Sequence, residues 1–432
     1  MSEYKGIEYL KRRLSNKKDR NELRYDYYEM KNTMQEFNTV IPKEFYWLKE
    51  CLGWCSKAVD TLADRLSFRE FKNDIFEMNE IYNMNNPDIL FNSAIISALI
   101  TSCSFIYISK NDDGFPIMQV IDGRKATGII DPITNMLIEG YAILETDIHD
   151  RPTKEAYFTK EETIYYEKSS KPYSQKNIAP YPLLVPIIYR PDPKRPFGHS
   201  RISRACMNIQ QSALRTLKRS EISAEFYSFP QKYILGMDKD AEKLEKWKAT
   251  ISSMIQISKD EDGGSPTVGQ FQQQSMSPYI DQLKMFASLF AGETGLTLDD
   301  LGFSTENPSS VEAIKAQHEN LRLIARKAQK TFGSGFLNAG YLAVCVRDNY
   351  PYSRNQIYLT KPKWEPLFEP DSSALSIIGD GAIKINQAVP SYFGKENLRD
   401  LTGIDYYEDV DMNMNNKVEE NPIEFEDTVE EE

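Results

Sequence analysis

The chain has 432 residues, a formal net charge of −12 and 41% hydrophobic residues, 12% of the total being aromatic. That is enough apolar material to fill a core in about three domains or one large multi-part subunit, and it excludes a chain disordered throughout. The acidic balance excludes a protein whose whole surface wraps nucleic acid, because such binding needs many Lys and Arg contacts to phosphates. Five scattered cysteines, Cys51, Cys55, Cys103, Cys206 and Cys345, fit a reducing cytoplasm better than a disulfide framework.

The N-terminal MSEYKGIEYLKRRL is charged and lacks the apolar core of a secretion signal. Residues 1–40 are expected to be helical from about Asp19, with Tyr25, Tyr27, Tyr28 and Phe37 available for packing. Pro42 opens a second predicted helix, Lys43 to Leu66, whose apolar stripe is Leu48, Cys51, Cys55, Val59, Leu62 and Leu66. Cys51 and Cys55 then lie one turn apart as buried thiols, since zinc would need two further ligands that the neighbourhood does not supply. Ile89 to Ser109 carries no charge, but Asn92, Ser93, Ser97 and Thr101 favour a buried helix followed by a strand at Cys103 to Ile108 over a membrane span.

From Cys103 to Lys168 the pattern shortens to strands, IMQVID, MLIEGYAILET and TIYYE, with turns at Asn111–Gly114 and Asp131–Asn135. Proline-rich loops flank a strand at Leu183 to Tyr189. Between Arg190 and Arg219 eight bases and one acid give a local charge of +7. A helix predicted over Arg201 to Phe226 turns Ile202, Ala205, Ile209, Ala213, Leu217 and Ala224 inward. It carries Arg204, Asn208, Gln211, Arg215 and Lys218 on another face. Arg204, Arg215, Lys218 and Arg219 are the candidate basic strip, with salt bridges inside an assembly as the plainer reading.

Residues 227–276 read as an insertion: a strand in FPQKYILG, a helix over Ala241 to Met254 carrying Trp247, and the Gln-rich VGQFQQQSM. A helix follows over Ser277 to Gly295. The polar loop from Leu296 to Asn307 comes next, and then a helix from Ser309 to Arg347, about 58 Å long at 1.5 Å per residue. Its start is marked by Asn307-Pro308, a Ser309 cap and Glu312 as capping-box partner. Its stripe is Val311, Ile314, Leu321, Ala325, Ala328, Phe332, Phe336, Ala339, Ala343 and Val346. Gly333 and Gly335 predict a kink. QIYLTKPKWEP reads as strand-like, short helices follow to Leu401, and Val418 to Glu432 holds eight acids without a base, the signature of a solvated tail.

Enzyme signatures fail. No P-loop, dinucleotide fingerprint or nucleophile elbow is present, and His149, His199 and His318 are isolated in sequence. Asp299-Asp300 could hold a divalent ion but fits a solvated or capping pair better. The run from Asp409 to Glu420 has Met414 where a calcium loop needs glycine. No cofactor and no metal site is expected.

The order helix, insertion, helix, polar loop, long helix, with TGLTLDDLGFSTENPSSVEAIKA at its centre, resembles the portal proteins of tailed bacteriophages, in particular those of long-tailed phages of Gram-positive hosts. PKEFYWLKECLGWCSKAVDTLADRL, LLVPIIYRPDPKRPFGHSRISRAC and FPQKYILGMD fit the same pattern in the same order. The resemblance implies an α+β portal fold. Residues 1–200 would form the wing, 201–226 and 277–295 the stem, 227–276 the clip and 296–308 the tunnel loop. The kinked wing helix would be 309–348, the return strand 349–369, the crown 370–417 and the tail 418–432. It implies DNA-proximal tunnel-loop residues Thr297, Asp299, Asp300, Phe303, Ser304, Thr305, Glu306 and Asn307, and clip residues Lys232, Trp247, Gln270 and Gln272. The implied assembly is a closed, dodecameric homo-oligomeric ring in the virion, built in the host cytoplasm. Its implied partners are double-stranded DNA, bound without sequence preference, the terminase motor, scaffolding and major capsid proteins, and a head-tail connector, with no membrane contact. A different head or connector protein, and a metal-dependent nucleic-acid-processing enzyme around Asp299 and Asp300, are the alternatives.

Overall fold

The computed structural model describes residues 4–34, 49–168, 170–228, 232–235, 267–270, 275–303, 316–367, 370 and 372–404. The chain divides into two compact units, Met1–Leu367 and Phe368–Glu432. The first unit opens with helix α1 (Ile7–Tyr28), α2 (Trp54–Ala63), strand β1 (Phe68–Lys72), α3 (Met78–Asn83) and α4 (Pro87–Thr101). Strands β2 (Cys103–Lys110), β3 (Pro116–Ile121), β4 (Ala126–Ile130), β5 (Leu137–Thr146), β6 (Pro152–Phe158), β7 (Glu162–Glu167), β8 (Tyr173–Lys176) and β9 (Leu184–Ile188) follow. Then come α5 (Arg204–Ser228), β10 (Lys232–Leu235), β11 (Thr267–Gln270), α6 (Ser277–Thr294), α7 (Glu319–Arg347) and β12 (Lys361–Trp364). The second unit holds α8 (Ser372–Ala388) and α9 (Lys395–Thr402), and Asn386 closes the turn between them through both the N–H and the carbonyl of Phe393.

Two antiparallel sheets make the middle of the first unit, one ordered β3-β2-β9 and the other β4-β5-β6-β7-β8. Strand β2 explains the packing. Its alternation sends Phe105 and Tyr107 into a cluster with Ala142, Ala156, Phe158 and Tyr165 of the five-stranded sheet, and Ile106 and Ile108 into the main helical core. Both faces are covered, so the strand reads as a continuous apolar run. On the other face of the five-stranded sheet, Leu10 and Leu14 of α1 pack on Tyr141 and Tyr157.

The α1 start is fixed by a buried carboxylate. Glu139 on β5 is 1% exposed and accepts from the backbone N–H groups of Lys5 (2.9 Å) and Gly6 (3.2 Å) and from the Tyr157 hydroxyl (2.7 Å). A negative side chain there satisfies free N–H groups at the helix start. The helix begins at Ile7, twelve residues earlier than the sequence suggested, because this tertiary clamp acts where no local cap exists.

The expected helix over Lys43 to Leu66 is corrected where it is described. Residues 49–53 are not helical, α2 starts only at Trp54, and Cys51 is exposed while Cys55 is buried. The two thiols therefore do not share a helix face. The uncharged run behaves as expected, as α4 followed by β2, and no described helix is long and apolar enough to cross a membrane. Strands β1, β4, β6, β8 and β11 were not legible. Strand β8 is exposed throughout and β6 buries only its last three residues, Ala156, Tyr157 and Phe158, in a row, so no apolar alternation marks either.

Helix α7 is the axis of the main core. Every predicted stripe residue from Leu321 to Val346 is buried, and beyond Phe332 the burial extends nearly all round. The α-helix is unbroken through Gly333 and Gly335, so no helix break marks the expected kink. The irregularity lies at His318, a turn residue between helical positions 317 and 319. What the glycines provide is close approach. A Cβ on Gly333 would meet the Pro362 ring at 2.7 Å, and one on Gly335 would meet Ile187 Cδ1 at 2.8 Å. Lost helix propensity, about 1 kcal/mol per glycine, is thus exchanged for contact with β12 and β9. The strand-like QIYLTKPKWEP divides into a 3-10 turn over Arg354–Ile357 and β12, which pairs with β1. Ser309, Glu312, Val311, Ile314, Phe37, the Asp409–Glu420 run and the acidic tail lie outside the described residues.

Candidate functional site

Helices α5 and α6 form an antiparallel hairpin. The Ser203 hydroxyl, which also caps α5 by accepting from Cys206 N–H (3.2 Å), donates to Glu293 (2.9 Å). Thirteen residues further along α5, Thr216 donates to Gln282 of α6 (2.9 Å). At the far end the chain continues into β10, paired antiparallel with β11 so that Lys232 stands opposite Gln270. These two predicted clip residues are brought together on a two-stranded ladder, whereas Trp247 and Gln272 fall outside the described residues.

The near end of the hairpin is locked into the core. Arg201 is 5% exposed; its Nε donates to the carbonyl of Ala58 (3.2 Å) and its Nη2 to the carbonyl of Thr294, at the end of α6. A guanidinium can serve two carbonyls at once in a fixed fork, and one of these is an unpaired helix-end acceptor. Gln210 accepts from Cys55 N–H (2.9 Å), and Gln211 donates to the Tyr27 hydroxyl (2.8 Å) and the Thr33 carbonyl (3.0 Å). Trp54 meets Phe290 with ring centroids 5.6 Å apart. Burial pushes the Cys206 thiol up, with the Ser203 hydrogen bond opposing it. Part of α6 is left uncovered. Ile280, Met285 and Leu289 on α6 are 59%, 49% and 54% exposed.

The basic strip needs one correction. Arg204 and Arg219 are exposed and Arg215 is half-buried, and at about 100° per residue these three fall on one outer arc of about 60°. Lys218 does not join them, being 2% exposed, and Gln211 from the same predicted face is also buried. The buried arc of α5, with Cys206, Gln210, Ala213, Leu214 and Lys218, is broader than the apolar pattern implied, because polar residues with partners fill part of it. Conversely Ala205, expected inside, is exposed. Arg201, Gln210 and Gln211 were missed as hairpin anchors; their polarity concealed their burial.

The loop after α6 is anchored at its start. Gly295 ends the helix with φ +72°, and Leu296 and Leu301 are buried. Asp300 accepts from both the N–H and the hydroxyl of Thr297 (2.9 Å each), while its own N–H donates back to that hydroxyl (3.2 Å). This reciprocal turn makes Thr297 and Asp300 structural, and Phe303 is partly buried against the main core. Asp299 is exposed. Asp299 and Asp300 therefore do not converge as a metal pair, since Asp300 is committed to the turn; among the described residues no group of three His, Cys, Asp or Glu side chains could hold a metal ion. Ser304, Thr305, Glu306 and Asn307 lie outside the described residues.

A family model described as phage portal protein, SPP1 Gp6-like, matches residues 7–372, from the first turn of α1 into α8. The chain belongs to this phage portal protein family. It is similar to the portal protein of Mycobacterium phage L5, at 24% identity over 339 residues covering 73% of this chain and 69% of the relative, and to that of Mycobacterium phage D29, at 23% over the same extent. A chain in the neck of an empty gene transfer agent particle gives a more distant likeness, with 12% identity, a TM-score of 0.47, and 82% of this chain and 90% of that one covered. The α5–α6 hairpin, the loop after it and α7 all lie inside the family-matched span, and the architecture is α+β as the sequence implied.

Proposed function

We propose that this portal protein acts as a closed ring of identical subunits in the virion, with the α5–α6 hairpin of each copy contributing to an axial channel for double-stranded DNA. The observation that carries this reading is the hairpin itself. It is gripped at one end by Arg201, Gln210 and Gln211 and leaves apolar Ile280, Met285 and Leu289 uncovered along its outer length. A neighbouring copy related by rotation covers such a surface, and repeated head-to-tail contact closes a cyclic ring. A dodecamer is the proposed size.

The protein would pass DNA without chemistry of its own. Arg204, Arg215 and Arg219 offer weak, sequence-independent phosphate attraction on one arc, against a chain whose net charge opposes sticking. The β10–β11 ladder at the free end of the hairpin would be the docking point for the packaging motor and later for the head-tail connector. Scaffolding and capsid proteins would be met elsewhere on the ring during assembly in the host cytoplasm. The test is the solution mass of the purified chain combined with electron microscopy of the same sample. A ring with a central hole is expected; a stable compact monomer that cleaves DNA with a divalent metal would replace the reading with the enzymatic one.

A further inference from the structure

Helix α1 carries an unusual charge pattern. Arg13, Lys17, Arg20 and Arg24 follow one another in steps of four, three and four, so at about 100° per residue they share an arc of about 60° over some 16 Å of helix. The acids of the helix, Glu8, Asp19, Glu22 and Asp26, all fall about 100° or more from the nearest strip residue. Tertiary structure extends the strip. The loop before α5 sets Phe197 beneath it, with the Arg13 guanidinium 5.2 Å and the Lys17 ammonium 4.6 Å from the ring centroid. It also brings Arg195 close enough to act electrostatically on Arg24.

Among the described residues no carboxylate pairs with these cations, although Arg24, half-buried, donates to the carbonyl of Thr101 (3.2 Å) and to Asn21 Oδ1 (3.3 Å). Among the described residues none of Arg13, Lys17, Arg20, Arg24 and Arg195 forms an ion pair, while the neighbouring Lys11 and Lys18 do, with Glu155 and Glu22. Asp192, the acid nearest in that loop, is occupied by His199 and by the N–H groups of Lys194 and Arg195. Burial and mutual repulsion lower Lys17 below the ordinary lysine range and Arg24 to about 10. Fixing five like charges together costs stability in an isolated chain. An anion that binds there recovers it.

We propose that this α1 strip, with Arg195, is a docking surface for the sugar-phosphate backbone of duplex DNA, separate from the hairpin. The proposal rests on the portal reading for the presence of DNA but uses none of the hairpin residues. A linear polyanion fits a straight row of cations, and four of the five are arginines, whose planar forks suit phosphate oxygens. Duplex DNA presents one phosphate per 3.4 Å of each strand, so the strip faces roughly five along one strand. It ends one turn before Tyr27, whose hydroxyl takes the Gln211 hydrogen bond, so bound DNA would lie close to the hairpin's anchored end.

The experiment measures binding of a defined DNA duplex to the full-length protein across a salt series. It compares the unaltered chain, the triple variant Arg13→Gln, Arg20→Gln, Arg195→Gln, and the hairpin variant Arg204→Gln, Arg219→Gln. The triple variant should lose affinity on the order of tenfold, with the slope of log K against log salt falling by about 3. The single charge reversal Arg20→Glu, at an exposed position, should move both quantities in the same direction and covers the case in which the triple variant folds poorly. Unchanged affinity and slope in the variants would overturn the proposal, as would poly-glutamate binding to the strip that duplex DNA cannot displace, which would make an acidic protein segment the occupant. Ring mass, read on the same samples, separates the two readings: loss of DNA binding without any ring counts against the portal reading and for the strip.

Discussion

Arg201 holds the end of α6 by donating to the carbonyl of Thr294, 93 residues away in sequence, from a side chain that is almost wholly buried. The same guanidinium reaches the Ala58 carbonyl of α2, so one residue ties the two ends of the hairpin to the helical core. Arg201→Met should lower unfolding stability by about 3 kcal/mol, because two carbonyls lose charge-assisted partners at once. Arg201→Lys should recover little of it, since an ammonium lacks the fork. Denaturant unfolding of the three proteins checks this, and equal midpoints would remove Arg201 from its anchoring role.

The two glycines of α7 should respond differently to alanine. At Gly333 the new methyl meets the Pro362 ring, which cannot swing away, so Gly333→Ala should destabilise by about 1–2 kcal/mol. At Gly335 it meets the flexible end of Ile187, and the helix-propensity gain of about 1 kcal/mol should leave the variant near neutral. Gly379→Ala and Gly381→Ala in α8 meet nothing within 4 Å and should stabilise that unit. Thermal melts decide; equal losses at 333 and 335 would contradict the close-approach account.

Lys218 and Arg219 are adjacent yet should behave as different classes. Lys218→Ala opens a buried site and should cost about 2 kcal/mol of stability. Arg219→Gln, on the exposed arc, should leave the melting temperature within error while weakening the response to DNA. A stable Lys218→Ala protein would show that the buried arc of α5 has been drawn too wide.

Thiol reactivity should count one fast group and four slow ones. Cys51 is exposed, while Cys55, Cys103, Cys206 and Cys345 are buried. Burial raises the Cys55 and Cys103 thiols and pushes Cys345 up to about 11, which keeps these thiols protonated at neutral pH. An aromatic disulfide reagent at pH 8 should therefore release one equivalent quickly and the rest only on unfolding. No fast equivalent at all before unfolding would restore the helix predicted over Cys51 and Cys55, on which both thiols are buried.

The sequence by itself determined the family, the α+β class and the elements whose burial follows a simple period. The α7 stripe from Leu321 to Val346, the α4–β2 succession and the turns at Asn111–Gly114 and Asp131–Asn135 are local patterns, since spacing of apolar residues and turn chemistry act within a few positions. It could not say that α1 begins at Ile7, because the clamp that starts it is Glu139, more than a hundred residues away. It could not say which way α5 faces either. Arg201, Gln210, Gln211 and Lys218 are polar in composition and buried in fact, their groups being satisfied by carbonyls, N–H groups and side chains from other elements. The same limit hid the α1 strip: its spacing is in the sequence, but only the packing of the loop that carries Arg195 and Phe197 against α1 gathers these cations, and among the described residues none of them forms an ion pair.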